Sequence, residues 1–104
     1  MNRLCSFLGL CKRAGKLTFG AEKTVQAARD KRIFLAVITS DVSEKTEKEI
    51  RFVCNDGVQV LKINLKSEET GLVLGLPCKV LGITDRSMAG KIADLASQEL
   101  SKEE

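Results

Sequence analysis

The sequence contains no histidine, no tyrosine and no tryptophan, and it has a single proline. Without histidine, general acid or base catalysis near neutral pH would depend on carboxylates or lysines. The four phenylalanines are the remaining aromatic residues, and we predict most of them in the core. Recognition of single-stranded RNA by stacking bases on aromatic side chains is therefore disfavoured.

Long hydrophobic stretches are also missing. The longest apolar stretch, residues 33–38, is far shorter than the roughly 20 residues that a membrane-spanning helix needs. The first residues mix charged and apolar side chains and contain neither the continuous hydrophobic segment nor the cleavage site of a signal peptide. We therefore expect no transmembrane segment and no secretion, but a cytoplasmic protein.

The four cysteines, Cys5, Cys11, Cys54 and Cys78, form no CxxC pair, and no histidine is present to complete a metal site. A chain of 104 residues that is 43% hydrophobic has enough apolar side chains to form a core without disulfides. We expect reduced thiols, with Cys5, Cys54 and Cys78 as small core residues. We expect neither a metal nor a cofactor.

Positive charge is concentrated in the first third of the chain. Residues 1–32 contain eight basic and two acidic side chains, whereas the remainder contains nine basic and twelve acidic ones. The whole chain has a net charge of +3. This asymmetry indicates a cationic face suited to phosphates, although a biased surface without function would explain the charge equally well.

Five segments have the apolar spacing of amphipathic helices, at about residues 2–13, 21–31, 44–54, 67–74 and 87–98. Ser67 is predicted to cap the fourth helix and Asp85 the last, and the polar residues before Glu44, including Ser43, offer caps for the third. Residues 55–57 are predicted to end the third helix. The residues expected to face the core in the second, third and last helices are Val25, Ala28, Ile50, Val53, Cys54, Met88, Ile92 and Leu95.

Extended segments alternate with the helices, at residues 17–19, 33–39, 58–63 and 79–83. The second is almost continuously apolar and rich in β-branched residues, which is typical of a central strand covered by helices on both faces. This alternation predicts one α/β domain, residues 1–104, folded as a three-layer α/β/α sandwich around a mostly parallel or mixed four-stranded sheet. Many functions share this architecture, so the fold class alone assigns none.

No group of residues typical of a catalytic site stands out. Acidic and basic residues of the third predicted helix stand three and four positions apart, as on an exposed, ion-paired face. The glycines form neither GxGxxG nor GxxxxGK[ST], the patterns that surround nucleotide phosphates. Gly20 opens a helix whose amides suit an anion, beside Lys16 and Lys23, although a glycine also simply permits a tight turn there. We predict that the protein is not an enzyme.

Three stretches resemble a known family: LGLCKRAGKLTFGAEKTVQAARDKR, FLAVITSDVSEKT and ETGLVLGLPCKVLGITD. They are similar to the ribosomal L-seven-Ae type family of kink-turn RNA-binding proteins, and most similar to its small bacterial YlxQ-type members. The resemblance extends from about Leu4 to Leu95. It implies an α/β/α protein that binds sharply bent RNA with tandem sheared G·A pairs, for example in a ribonucleoprotein such as the ribosome.

The resemblance also implies where RNA would bind. The glycine-led helix would enter the widened RNA groove, the loop after the central strand would lie beside an extruded nucleotide, and the loop before the last strand would cover unstacked bases. The residues implied at these three places are Gly20, Ala21, Glu22, Lys23, Thr24 and Gln26; Ser40, Asp41 and Val42; and Gly75, Leu76, Pro77 and Cys78. The candidate cationic contacts to phosphates are Arg13, Lys16, Lys23 and Arg29.

One difference from the family concerns the base contacts. Archaeal and eukaryotic members usually have Asn and Glu at the positions of Glu22 and Lys23, and Lys at the position of Gln26. Two hypotheses of function follow, besides the disfavoured enzyme. The first is a non-catalytic protein that binds kink-turn or similarly bent RNA, and the second is a protein-interaction or accessory subunit with only nonspecific RNA affinity.

Overall fold

The computed structural model describes residues 3–55 and 57–103, with side chains described as far as Gln98. In chain order the elements are α1 (Arg3–Arg13), β1 (Leu17–Phe19), α2 (Ala21–Arg29), β2 (Leu35–Ile38), α3 (Glu44–Val53), β3 (Gln59–Lys62), α4 (Ser67–Leu74), β4 (Val80–Ile83) and α5 (Arg86–Glu103). Every predicted helix and strand is present in the predicted order. Asn2, the predicted start of the first helix, and Asp56, in the predicted end of the third, lie outside the described residues.

The four strands form a mixed sheet with the order β1-β4-β2-β3. β4 lies inside the sheet and is antiparallel to both β1 and β2, whereas β2 and β3 are parallel and joined by the α3 crossover. The register places Gly82 of β4 opposite both Thr18 and Ala36. The prediction of a mixed sheet with a central second strand is confirmed.

Helices cover both faces of the sheet, because side chains alternate along the buried strands. Leu35 and Val37 of β2 face α1, α4 and α5, whereas Ala36 and Ile38 face α2 and α3. All four residues of β2 and of β4 are therefore buried. This arrangement confirms the predicted three-layer sandwich.

The predicted helix caps are right where the partner is close in sequence. Ser43 Oγ accepts a hydrogen bond from the amide of Thr46 (3.2 Å), and Asp85 Oδ1 accepts one from the amide of Met88 (2.9 Å). Ser67 was wrongly predicted as a cap, since it is the first residue of α4. The last helix continues beyond the predicted Gln98, to Glu103.

The phenylalanines are more exposed than predicted. Phe52 is 80% exposed because it lies on the side of α3 opposite the buried Ile50, and Phe34 is 41% exposed in the turn before β2. Phe7 and Phe19 are partly buried against the larger core. The expectation that most phenylalanines lie in the core is therefore wrong.

All four cysteines are buried thiols outside any disulfide, as predicted. Burial, together with the negative charge of Asp85, raises the pKa of Cys11 to about 11, and burial raises the pKa of Cys54. The thiols of Cys11 and Cys54 therefore stay protonated at neutral pH and behave as small apolar side chains. Within the described part of the chain, no helix is long and apolar enough to cross a membrane.

Candidate nucleic-acid interface

The three segments implied as RNA contacts meet at one end of the sheet. β4 begins between the ends of β1 and β2: the amide of Gly20 donates to Val80 O (2.9 Å), and the amide of Thr39 donates to Lys79 O (3.0 Å). The start of α2, the loop after β2 and the loop before β4 are therefore neighbours. We call this end of the sheet, marked by Gly20, Thr39 and Lys79, the Gly20 end.

Gly20 gives α2 its position at this end. Its φ of 92° and ψ of 157° belong to a region that is essentially restricted to glycine. It occupies the N-cap position without a side-chain cap, and a Cβ built there would meet nothing within 4 Å. The requirement for glycine is thus one of backbone conformation. The first amides of α2 have no carbonyl partner within the helix. The exposed side chains of Glu22 and Lys23 belong to the same first turn.

Asp41 braces the loop after β2. Its carboxylate accepts hydrogen bonds from Thr39 Oγ1 (2.6 Å), Ser67 Oγ (2.7 Å) and the Ser67 amide (3.0 Å). These donors, the two hydroxyls foremost, hold the pKa of Asp41 well below its usual value. The amide of the neighbouring Ser40 donates to Leu65 O (2.9 Å). Asp41 therefore joins the loop to the start of α4, and Ser40 and Asp41 are both exposed polar residues of this loop.

Two of the implied contact residues, Thr24 and Cys78, are buried. Thr24 is 0% exposed, and its hydroxyl lies 3.0 Å from the hydroxyl of Thr18. Cys78 is 7% exposed, and its thiol donates to Val80 O (3.0 Å). Thr24 belongs to the core-facing stripe of α2, with Ala27 and Ala28. Neither side chain is available for contact with RNA, which corrects the expectation for both.

The loop before β4 is fixed to the end of α4 and presents apolar side chains. Gly75 ends the helix with a φ of 84°, and Lys12 Nζ donates to Leu74 O (2.6 Å). A Cβ on Gly71 would lie 3.2 Å from Pro77, so helix and loop are in close contact there. Leu76 is 46% exposed and Pro77 is also exposed.

Sequence reasoning missed two lysines at the Gly20 end. The exposed Lys79 pairs its backbone with Thr39, and the exposed Lys66 directly precedes the Ser67 that binds Asp41. Lys79 follows Cys78, so an implied segment longer by one residue would have included it. Lys66 is placed here by tertiary contacts for which the sequence offers no signal.

Three of the four predicted cationic contacts belong to the opposite end of the sheet. There β1 begins where β4 ends, and the amide of Thr84 donates to Lys16 O (3.0 Å). Arg13 closes α1 just before this point, and Arg29 closes α2 far from Gly20. At about 3.3 Å per residue, β1 separates Lys16 from Gly20 by roughly 13 Å. We call this end, marked by Lys16 and Thr84, the Lys16 end; Lys23 alone among the four lies in the first turn of α2.

A groove runs between β1 and α2. Its volume is about 300 Å³, and it is lined by Leu17, Thr18, Phe19, Lys23, Gln26 and Arg32. Among these described residues two are basic and none is acidic. Gln26 Nε2 donates to Asp30 (3.2 Å to Oδ1), and Arg32 lies 3.6 Å from the same carboxylate. The groove thus leads from Lys23 toward Arg32.

Comparison with known proteins identifies a family whose model matches most of this chain. The model of the ribosomal protein L7Ae/L30e/S12e/Gadd45 family matches residues 3–93. The RNA-binding protein YlxQ of Enterococcus faecium is 34% identical over 91 residues, which cover 86% of this chain and 87% of that protein. The range matched by the family model therefore includes all three segments of the Gly20 end.

Solved structures share the fold. A protein of unknown function from Bacillus halodurans superposes with a TM-score of 0.86 at 26% identity, over 93% of this chain and 99% of that one. The 15.5kD RNA binding protein of Giardia lamblia superposes with a TM-score of 0.71 at 16% identity, over 91% and 82% of the two chains. The arrangement of helices and strands is common to all three.

Proposed function

The chain belongs to the ribosomal protein L7Ae/L30e/S12e/Gadd45 family, and from this premise we propose that it is a non-catalytic RNA-binding protein that recognises kink-turn or similarly bent RNA. It acts as a single cytoplasmic domain, and ribosomal RNA is among its candidate ligands. Support for RNA as the ligand comes from the family and from the relative named as an RNA-binding protein.

The observation that carries the proposal is the meeting of three separate segments at the Gly20 end. Hydrogen bonds from Gly20 and Thr39 to the first residues of β4 bring together a helix start, a polar loop and an apolar loop. A bent RNA offers a matching set of features: phosphates, exposed base edges and unstacked bases. The helix start suits phosphates and base edges, the polar loop suits an extruded nucleotide, and the apolar loop suits unstacked bases.

The segments divide the recognition between them. The first amides of α2 and Lys23 bind phosphates, because the helix start carries partial positive charge. Glu22 accepts from a guanine amino group, and Lys23 and Gln26 donate to base edges. Leu76 and Pro77, exposed beside the buried Cys78, cover unstacked bases. Recognition of shape rather than stacking suits a chain without tyrosine or tryptophan.

Binding of the purified protein to a kink-turn RNA tests the proposal. The control RNA has its sheared G·A pairs replaced by Watson–Crick pairs, and both are measured at about 50 and 200 mM salt. We expect tighter binding to the kink-turn RNA at both salt concentrations. Equal, weak and salt-sensitive binding to both RNAs would contradict the proposal and favour an accessory subunit with nonspecific affinity.

A pair of variants with the same charge change locates the site. Lys23→Gln removes a cation from the first turn of α2, whereas Lys48→Gln removes one from the exposed face of α3, where Lys48 pairs with Glu44 (3.2 Å). We expect Lys23→Gln to weaken binding and to lower the salt slope by about one contact, or ~0.9. Lys48→Gln should leave affinity and slope unchanged, and equal losses in both variants would exclude a localised site.

A further inference from the structure

The groove between β1 and α2 continues into a cluster of basic side chains at the Lys16 end. Four exposed cations are contributed there by three separate parts of the chain: Lys16, Lys31, Arg32 and Arg86. Backbone hydrogen bonds hold these parts together, since β4 ends between Lys16 and Phe34: Thr84 N donates to Lys16 O (3.0 Å), and Phe34 N donates to Ile83 O (2.9 Å). The cluster is thus assembled by the fold.

An aromatic contact orients one of these cations. The guanidinium carbon of Arg86 lies 5.2 Å from the centre of the Phe34 ring, and the ring itself is 41% exposed. Stacking on an aromatic face leaves the N–H edge of a guanidinium available to an oxygen acceptor. Arg86 is therefore presented to the surface at the end of the groove.

Two carboxylates near the cluster are already engaged. Asp30 accepts from Gln26 and lies 3.6 Å from Arg32, and Asp85 caps α5 through the amide of Met88. The pair of Asp30 and Arg32 is open to solvent, with side chains 47% and 63% exposed, so it holds Arg32 only weakly. Lys16, Lys31 and Arg86 keep the cluster positive.

We propose that the β1–α2 groove and the Lys16 end form a second RNA surface, which holds the phosphate backbone of a helical arm leaving the Gly20 end. The inference rests on the proposed function and extends the RNA contact from the Gly20 end along the groove to the Lys16 end. We call this longer surface the track. The track is roughly 13 Å long, by the strand rise, which is long enough to meet more than one phosphate of a strand. Lys23 starts it, Arg32 continues it and Lys16 ends it.

The charges along the track define the test. The double variant Lys16→Gln/Arg32→Gln removes two exposed cations, and the matched control Lys45→Gln/Lys48→Gln removes two exposed lysines from α3. Each protein is titrated with the kink-turn RNA and with versions in which one or the other helical arm is cut back next to the kink. Thermal unfolding of both variants confirms that each is folded.

We expect the double variant to lose about 1.8 from the salt slope, at ~0.9 per phosphate contact. Its loss of affinity relative to the wild type is then about 12-fold larger at 50 mM than at 200 mM salt. With the relevant arm cut back, the double variant and the wild type should bind equally. The α3 control should match the wild type on every RNA.

The readouts keep the two proposals separate. The proposal of the track is wrong if the double variant has the same salt slope as the α3 control. It is also wrong if the affinity of the wild type is unchanged whichever arm of the RNA is shortened. The dependence of wild-type binding on the G·A pairs is measured in the same titrations and tests the proposed function alone. Preserved G·A dependence with an unchanged slope thus removes the track and leaves the Gly20 end in place.

Discussion

Gly20 connects a backbone conformation to a binding surface. Its φ of 92° with ψ of 157° is costly for any other residue, yet no atom beyond the two adjacent residues lies within 4 Å of a Cβ placed there. A substitution would therefore be opposed by backbone strain alone. Relief of that strain requires the chain to change direction between β1 and α2, which would move the first turn of the helix.

We expect Gly20→Ala to lower the free energy of unfolding by about 1–3 kcal/mol, the cost of a strained backbone. Affinity for kink-turn RNA should fall as well, because the start of α2 moves. The control is Gly90→Ala in α5, where a Cβ also meets nothing within 4 Å and the backbone is helical. It should raise stability by up to about 1 kcal/mol. Urea denaturation measures the free energy of unfolding of both variants. An unchanged value for Gly20→Ala would contradict the expected backbone strain.

Asp41 makes stability depend on acid pH. Its hydrogen bonds lower the pKa of the folded carboxyl below the usual 3.8, so the charged form stabilises the fold. This contribution is complete above the unfolded pKa and declines as the pH falls toward the lower folded pKa. We expect the stability difference between wild type and Asp41→Asn to be constant above about pH 5 and to shrink below about pH 4.

Urea denaturation of both proteins from pH 7 to pH 2.5 would follow this difference. Asp94→Asn, on the exposed side of α5, is the matched control and should change little across the range. A difference between wild type and Asp41→Asn that grows on acidification would have the wrong sign for a lowered pKa. It would show that the carboxylate of Asp41 does not accept the bonds from Thr39 and Ser67.

Single polar residues of the candidate site have tertiary partners that the sequence did not predict. Thr24 lies in a segment that the family resemblance assigns to RNA, but its hydroxyl is buried against Thr18. Asp41 lies in another such segment, but its carboxylate binds Ser67, 26 positions further along the chain. The partner was not predictable, because it depends on which elements become neighbours.

At the scale of elements, α1 and α4 are tied together at the loop that carries Leu76. Lys12 Nζ donates to Leu74 O (2.6 Å), where the carbonyl groups of a helix C-terminus have no partner within the helix. A cation is favourable at this position because the C-terminus carries partial negative charge. The contact therefore stabilises both the end of α4 and the loop behind it.

We expect Lys12→Met, which keeps most of the apolar stem, to lower the free energy of unfolding by about 1 kcal/mol. Amide hydrogen exchange should accelerate in residues 75–79, since the loop loses an attachment. Lys91→Met on the exposed face of α5 is the control for the loss of one lysine charge. Equal stability and equal exchange in the two variants would mean that the Lys12 bond contributes nothing measurable.

The ends of the helices show how far local sequence signals reach. Ser43 and Asp85 were predicted as caps, and both bind amides three residues ahead. Ser67 is a serine like Ser43, but it is the first residue of α4 and its hydroxyl donates to Asp41. Local patterns therefore predicted the elements and most caps, and they failed where a distant residue offered a stronger acceptor.

At the scale of the whole molecule, the strand order decides which residues share a surface. Periodicity predicted the alternating helices and strands and hence the α/β/α layers. It carried no information that β4 would insert between β1 and β2, antiparallel to both. That insertion brings Gly20, Thr39 and Lys79 together and sends Lys16 to the other end. A basic region that is continuous in sequence thus becomes two separate patches joined by a groove.

The two hydrophobic cores, one on each face of the sheet, differ in size. Among the described residues, sixteen buried side chains form the core under α1, α4 and α5, and eight form the core under α2 and α3. The helix that carries Lys23 and Gln26 therefore rests on the smaller core, so its layer should open by sub-global fluctuation before the other. A ligand that touches the start of α2 and the loop after β2 closes those openings. RNA binding would then stabilise the less stable half of the fold. Part of the binding free energy would appear as slower amide hydrogen exchange in that half.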